Sequence, residues 1–277
     1  MTPEEVLQAL LRLTPNKQAR VVEQWPGLVG KTAEGLDVTA RTSKELRRFT
    51  SERDPGMMSW ILSFEPDDVF YDIGANVGGV TMAVAGIHGR LVTTVAIEPS
   101  FGSFESLARN LSSNKLLGFV IPLQVALLDR TGLERMNYRS TAAGASLHAI
   151  GDAVDYEGRE FAPVEVQLIP TYALDDLIGT LKLPLPTRIK IDVDGYEESV
   201  LRGAGRTLSG GSVRELFVEV VDHDRRGTRL ESVSRLLARA GYELSASSRH
   251  GDSLVADHLY RRLEPGPPEL GRAPLLP

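Results

Sequence analysis

The chain has 277 residues, a formal net charge of -6 and no cysteine. The acidic balance argues against a non-specific nucleic-acid binder, and the absent thiols exclude disulfides, zinc–thiolate sites, iron–sulfur clusters and cysteine nucleophiles. Hydrophobic content of 42% and charged content of 25% are those of an ordinary soluble globular protein with a sizeable core.

No segment reads as a membrane span. The longest apolar run, Leu116 to Leu128, is too short and contains Pro122 and Gln124. Glu4 and Glu5 stand where a signal peptide needs positive charge, so a cytoplasmic location is expected.

The opening "TPEEVLQALLRL" predicts a helix, with Thr2 as cap, Pro3 in the first turn, Glu5 completing a capping box, and Val6, Leu7, Leu10 and Leu11 on one face. Residues 15–42 read as irregular. A second helix is expected over 54–64, capped by Asp54, with Met57, Met58, Ile61 and Leu62 inward. These pieces form an N-terminal helical extension, 1–64.

From Val69 onward strands and helices alternate. "VFYDIG", "LVTTVAIEP" and "FVIPLQVALL" read as buried strands, with "VGGVTMAVAGI" and "SFGSFESLARNLSSN" as the helices between them. That order predicts an α/β fold, a doubly wound and mostly parallel sheet. The rhythm breaks over 131–163, a small, polar stretch expected to be a recognition loop. "VEVQLIPTYALDDLI" then predicts a strand and short helix, "RIKIDVDG" and "RELFVEVVD" two buried strands, "YEESVLRGAGRTL" the helix between them, and "RLESVSRLLARAGY" a further helix. "YELSASS" and "DHLYRRL" suit a closing hairpin. The main domain thus covers 65–263, and the proline-rich 264–277 reads as a disordered tail.

Two strand ends carry the chemistry. In "FYDIGANVGG" a strand turns through Gly74 and Gly78 into a helix whose first amides suit an anionic group. Asp72 at the same turn would repel a pyrophosphate. The glycine spacing is not G-x-G-x-x-G, and there is no G-K-[ST]. A ligand that pairs a carboxylate with a cation fits, and S-adenosylmethionine is one. Glu98 closes the next strand, where an acid accepts bonds from ribose hydroxyls. In "IKIDVDGYEESVLRGA", Asp192 and Asp194 end a later strand and address the same crevice.

These blocks, "FYDIGANVGGVTMAVA", "VAIEPS" and "IKIDVDGYEESVLRGA", in this order, resemble the FkbM family of S-adenosylmethionine-dependent methyltransferases across roughly residues 65–262. The resemblance implies a class I methyltransferase fold, a seven-stranded Rossmann-like sheet whose last strand is antiparallel. It implies that Asp72, Gly74, Asn76 and Gly78 form the cofactor loop, that Glu98 holds the ribose, that Ala126 stands near the adenine, and that Asp192 faces the methionine end. It further implies O-methylation of a hydroxyl on a natural product, sugar or glycan. The chain departs from the family at Asp194, commonly Glu, and at Gly79, often aromatic.

An alcohol acceptor needs a base; Asp192 is the first candidate and Glu219 the second, with His148 and His223 behind them. Asp192, Asp194, Glu219 and Asp222 are the residue types a hard cation uses, but no spacing demands a metal and none is assigned. Tyr138, Ser146, His148 and the N-terminal helices are expected to meet the acceptor, a small molecule or saccharide. The alternative use of the Leu7–Leu10–Leu11 face is a homodimer contact. A nicotinamide-dependent oxidoreductase would account for Glu98 but not for Asp72. A non-catalytic module on the same fold need not keep Asp72, Glu98 and Asp192 together.

Overall fold

In chain order, the computed structural model describes residues 12, 14, 27–50, 54–155, 158–221, 229–249 and 255–263. The expectations for the first helix, its Leu7–Leu10–Leu11 face, Asp222, His223 and the tail lie outside these residues.

Part of the stretch read as irregular is ordered. Leu28–Lys31 (β1) and Asp37–Ala40 (β2) form an antiparallel hairpin, and Ser43–Thr50 (α1) follows as a helix. The glycines and charges of this region hide its alternation, because only Val38 and Ala40 are buried within its two strands. Pro55–Leu62 (α2) begins where expected: the Asp54 side chain accepts a hydrogen bond from the Met57 amide at 3.0 Å. Its inward face differs by one residue. Leu62 is 62% exposed, whereas Trp60 is buried and donates from Nε1 to Glu215.

The main sheet is built from Val69–Ile73 (β3), Thr93–Ile97 (β4) and Val120–Leu123 (β5), separated by the helices Gly79–His88 (α3) and Phe101–Ser113 (α4). Pro122 sits in β5 without harm because β5 is the edge strand, where no further ladder needs its missing N–H. The run "FVIPLQVALL" therefore does not continue as one strand. It leaves the edge, and Ala126–Leu127 (β6) joins a second sheet.

That second sheet corrects the reading of 131–163 as loop throughout. Gly132–Tyr138 (β7), Ala149–Ile150 (β8) and Glu165–Tyr172 (β9) assemble with β6 in the order β6-β9-β7-β8. In β7 only Met136, Asn137 and Tyr138 are buried, so the sequence carries half an alternation and reads as polar.

After Leu174–Leu181 (α5) the chain re-enters the main sheet at Arg188–Ile191 (β10). One expected helix is two, Glu197–Arg202 (α6) and Gly205–Ser209 (α7). Glu215–Val221 (β11), Arg229–Arg239 (α8), Tyr242–Arg249 (β12) and Val255–Arg262 (β13) complete the fold. The seven-stranded order is β12-β13-β11-β10-β3-β4-β5, parallel from β5 to β11 and antiparallel at β13. This is the sheet and the closing hairpin the sequence predicts. Strands β3, β4 and β10 are buried almost throughout, as parallel strands covered on both faces must be.

At the end of the sheet where β3, β10 and β11 begin, charges lock the strands. Buried Arg188 pairs with Asp68 and with Glu215, and Asp68 also accepts from Thr187 and Arg214. Removing one partner of such a cluster leaves an uncompensated buried charge, at a cost of about 3–5 kcal/mol. Asp68→Ala is accordingly expected to lower unfolding stability by about that amount in denaturant titration. A loss under about 1 kcal/mol would show that the cluster is solvent-relaxed and contributes little.

Candidate functional site

The chain winds outward from β3 through β4 to β5, then returns to β10 and β11 on the other side of β3. Connections therefore diverge above the β3–β10 pair and leave a crevice there, the position where open α/β sheets bind ligands. Two glycines shape its edge. Gly74 has φ 79°, and a Cβ there would lie 1.8 Å from the Asp192 carbonyl oxygen. Only glycine lets the first turn pass so close to the end of β10. Gly78, at φ 95°, opens α3; a Cβ there would lie 2.5 Å from Leu107. Its smallness serves helix packing, and it does not face the crevice.

The crevice holds a cavity of about 210 Å³. Gly74, Asn76, Glu98, Ala126, Asp192 and Glu219 all line it, although they come from five separate stretches of sequence. Asp194, Ser146 and His148 are also on its wall. Tyr138 is not: it is fully buried beneath, its ring 5.0 Å from His148 and its hydroxyl donating to Gln167 at 2.8 Å.

Asp72 is placed differently from the sequence expectation. Its side chain is fully buried under the cavity floor instead of on the wall. One carboxylate oxygen accepts from the Thr81 hydroxyl at 2.6 Å, and the other lies 3.5 Å from the Lys190 ammonium. Lys190 is the parallel neighbour of Asp72 on β10, which explains the pairing. The same ammonium donates to Asp192 at 3.0 Å. Burial disfavours the charge on Lys190, but Asp192 and Asp72 outweigh it and hold its pKa above the ordinary value. Glu219, on β11, hydrogen-bonds to Asp192; burial and then the Asp192 charge push its pKa well up. Asp192 thus stands between the Lys190 ammonium and the Glu219 carboxyl, whose charged form burial and Asp192 both disfavour.

Glu98 ends β4 almost buried, accepting from the Asn76 amide at 2.9 Å and the Ser100 amide at 2.8 Å. Burial raises its pKa to about 7 against the pull of those two amides. Asn76 adopts φ 50° and ties the turn to the neighbouring loop, donating to the Ala145 carbonyl at 3.1 Å and accepting from Ser103 at 3.2 Å.

The second sheet and its loop close the cavity from the other side. Val125, Ala126, Leu127, Met136 and Ile150 supply an apolar wall. Asp194 accepts from the Leu147 amide at 2.6 Å, and both residues have positive φ, 51° and 64°. Such backbone costs about 1–3 kcal/mol per residue and persists where surrounding contacts over-determine it. Tyr196 adds a clamp: its hydroxyl donates to the Ile150 carbonyl at 3.0 Å and accepts from the Ile150 amide at 2.6 Å. Beyond this clamp lies a second chamber of about 160 Å³, sharing His148, Asp194 and Tyr196 with the first and walled further by Leu147, Asp155 and Arg229.

Among the described residues, no group of three His, Cys, Asp or Glu side chains is arranged to hold a metal ion. No helix among them is long and apolar enough to cross a membrane.

Sequence reasoning missed Arg48, Met136, Ile150 and Tyr196, all of which line the cavity. Tyr196 lies inside a block already singled out, directly after Gly195. The other three carry no local signal, because they reach the site through the N-terminal helix and the second sheet.

Comparison with known proteins agrees with this geometry. The profile of the Methyltransferase FkbM domain matches residues 72–244. Hexuronic acid methyltransferase AglP of Haloferax volcanii is 29% identical over 193 residues, covering 69% of this chain and 71% of the relative. The 31-O-demethyl-FK506 methyltransferase FkbM of Streptomyces tacrolimicus is 28% identical, covering 67% of this chain and 76% of the relative. The crystal structure of Methyltransferase FkbM from Methylobacillus flagellatus superposes with a TM-score of 0.52 at 19% identity, covering 73% of this chain and 45% of that one. The present chain thus spans less than half of that protein's length, and the likeness speaks for the fold. With its profile spanning both strand-end motifs, the chain belongs to the FkbM methyltransferase family.

Proposed function

We propose that this protein is an S-adenosylmethionine-dependent O-methyltransferase acting on a hydroxyl of a sugar or natural product. The observation that carries the reading is the single cavity that gathers Glu98, Asp192 and the Gly74–Asn76 turn at the sheet's switch point. The two curated relatives, a hexuronic acid methyltransferase and a 31-O-demethyl-FK506 methyltransferase, support the acceptor class.

The residues present fit this cofactor. Glu98 offers a carboxylate to the ribose hydroxyls, and Val125, Ala126 and Leu127 give an apolar wall for the base. Gly74 leaves room at the turn, and Asp192 and Asp194 put negative charge beside a cationic ligand. Asp72 serves from beneath, holding Lys190 and Thr81 in place. When bound, S-adenosylmethionine supplies a methyl group already activated for displacement.

The protein's own part is positioning, exclusion of water and removal of the hydroxyl proton. Asp192 is the acceptor of that proton, since it lines the cavity and the Lys190 ammonium donates to its carboxylate at 3.0 Å, whereas burial disfavours the charge on Glu219. Lys190 keeps the Asp192 carboxylate oriented. The second chamber, reached past His148 and Tyr196, receives the body of the acceptor, and the 131–163 segment sets its shape.

The direct test is transfer of labelled methyl from S-adenosylmethionine to a panel of uronic acids, neutral sugars, amino sugars and macrolide alcohols. Methyl ethers are the expected products, and transfer only to nitrogen would overturn the O-methyl reading. With the best acceptor, Asp192→Asn is expected to lower kcat by about 10²–10⁴-fold. Glu219→Gln, which keeps a donor toward Asp192, is expected to cost less, and the reverse order would make Glu219 the base. Affinity for S-adenosylhomocysteine should track the ionisation of Glu98. It rises with pH toward a plateau above about 7 and falls by up to about tenfold per unit below it, because only the carboxylate accepts both ribose hydroxyls. Glu98→Gln should flatten that profile in calorimetry from pH 5.5 to 8.5; an unchanged slope would assign the titration elsewhere.

A further inference from the structure

We infer that Arg48, carried by the N-terminal extension, forms the subsite for the carboxylate of the cofactor's amino-acid end; this rests on the S-adenosylmethionine reading above. The charges of the cavity point there. Its walls carry Glu98, Asp192, Asp194 and Glu219, and Arg48 is the one arginine or lysine among the described lining residues. Lys190 lies below the floor, already held between Asp72 and Asp192. Among the side chains lining this acidic cleft, Arg48, whose charge also acts on neighbouring Asp194, is the one that offers a carboxylate a charge-assisted hydrogen bond.

The guanidinium is presented by a built support. Glu45, one turn earlier on α1, is fully buried and accepts from the Arg41 amide at 2.6 Å, from Arg109 at 3.2 Å and from the Ser106 hydroxyl. That clasp binds α1 to α4. Phe49, beside Arg48, is fully buried in a cluster with Val77, Met82 and Leu107, which ties α1 to the cofactor turn and its helix. The carbonyl of Arg48 itself rests on Gly79, where a Cβ would come within 2.7 Å. This accounts for glycine at position 79: the end of α1 occupies the space a side chain would need. The last turn of α1 is therefore seated on the first turn of α3, and Arg48 reaches the cavity that the Gly74–Asn76 turn also lines.

The test is calorimetric titration of the full chain with S-adenosylhomocysteine and with methylthioadenosine, which lacks the amino-acid end. Arg48→Ala should weaken S-adenosylhomocysteine by about 10- to 100-fold and leave methylthioadenosine within about twofold, with Arg48→Lys in between. Gly79→Phe keeps the guanidinium but unseats α1, and should reproduce the selective loss. Unchanged S-adenosylhomocysteine affinity in Arg48→Ala would overturn the inference. So would an equal loss for both ligands, which would make Arg48 a support of the cleft as a whole. If the wild type binds neither ligand, the cofactor reading falls, and this inference with it.

Discussion

One buried ammonium organises the site. Lys190 stands beside Asp72 across the β3–β10 ladder and within hydrogen-bond reach of Asp192. Without it, Asp72, Asp192 and Glu219 would converge as uncompensated acids beneath and along one cavity. Desolvating charges costs several kcal/mol per ion, so an arrangement of this kind is weak evidence for stability. Its effect is on geometry. Asp72 is held under the floor and Asp192 is left on the wall, while burial and the Asp192 charge, against the pull of Lys190, push the Glu219 pKa up. Which acids this ammonium meets follows from where one lysine falls in a parallel register.

The two sheets divide the work. The seven-stranded sheet brings the charged strand ends, Glu98, Asp192 and Glu219, to one edge, while its opposite end is locked by Arg188 and Asp68. The four-stranded sheet brings apolar surface, through Ala126, Met136 and Ile150, and closes the cavity from the side. The two meet through hydrogen bonds from strained or sharply turned backbone: Leu147 to Asp194, and Ile150 with Tyr196. A cavity with one acidic wall and one apolar wall suits a ligand that joins a charged amino-acid end to an aromatic base. It gives a pyrophosphate no welcome.

Much of this was legible in the sequence, and the gaps have physical causes. The buried parallel strands announce themselves as continuous apolar runs, and turns at Gly74 and Gly195 mark their ends. By contrast β7 buries only three of its residues, so its pattern is polar, and the β1–β2 hairpin is masked by glycines and charges. Glu98, Asp192, Asp194 and Glu219, read from the sequence as facing one crevice, do line one cavity. That Asp72 lies under the floor instead of on the wall was not legible, because its place depends on the cross-strand neighbour: Asp72 faces Lys190, a pairing 118 residues apart that no local motif encodes. Gly78 illustrates the same limit, since its reason is Leu107 and not a ligand.

The central claim is that the cleft above β3 and β10 takes an S-adenosyl ligand. Calorimetric titration of the full chain with S-adenosylhomocysteine and, separately, with NADH tests it most directly. Saturable one-to-one binding of S-adenosylhomocysteine with no heat from NADH is the predicted result. Binding of NADH with silence from S-adenosylhomocysteine would contradict the account and return the fold to its oxidoreductase reading.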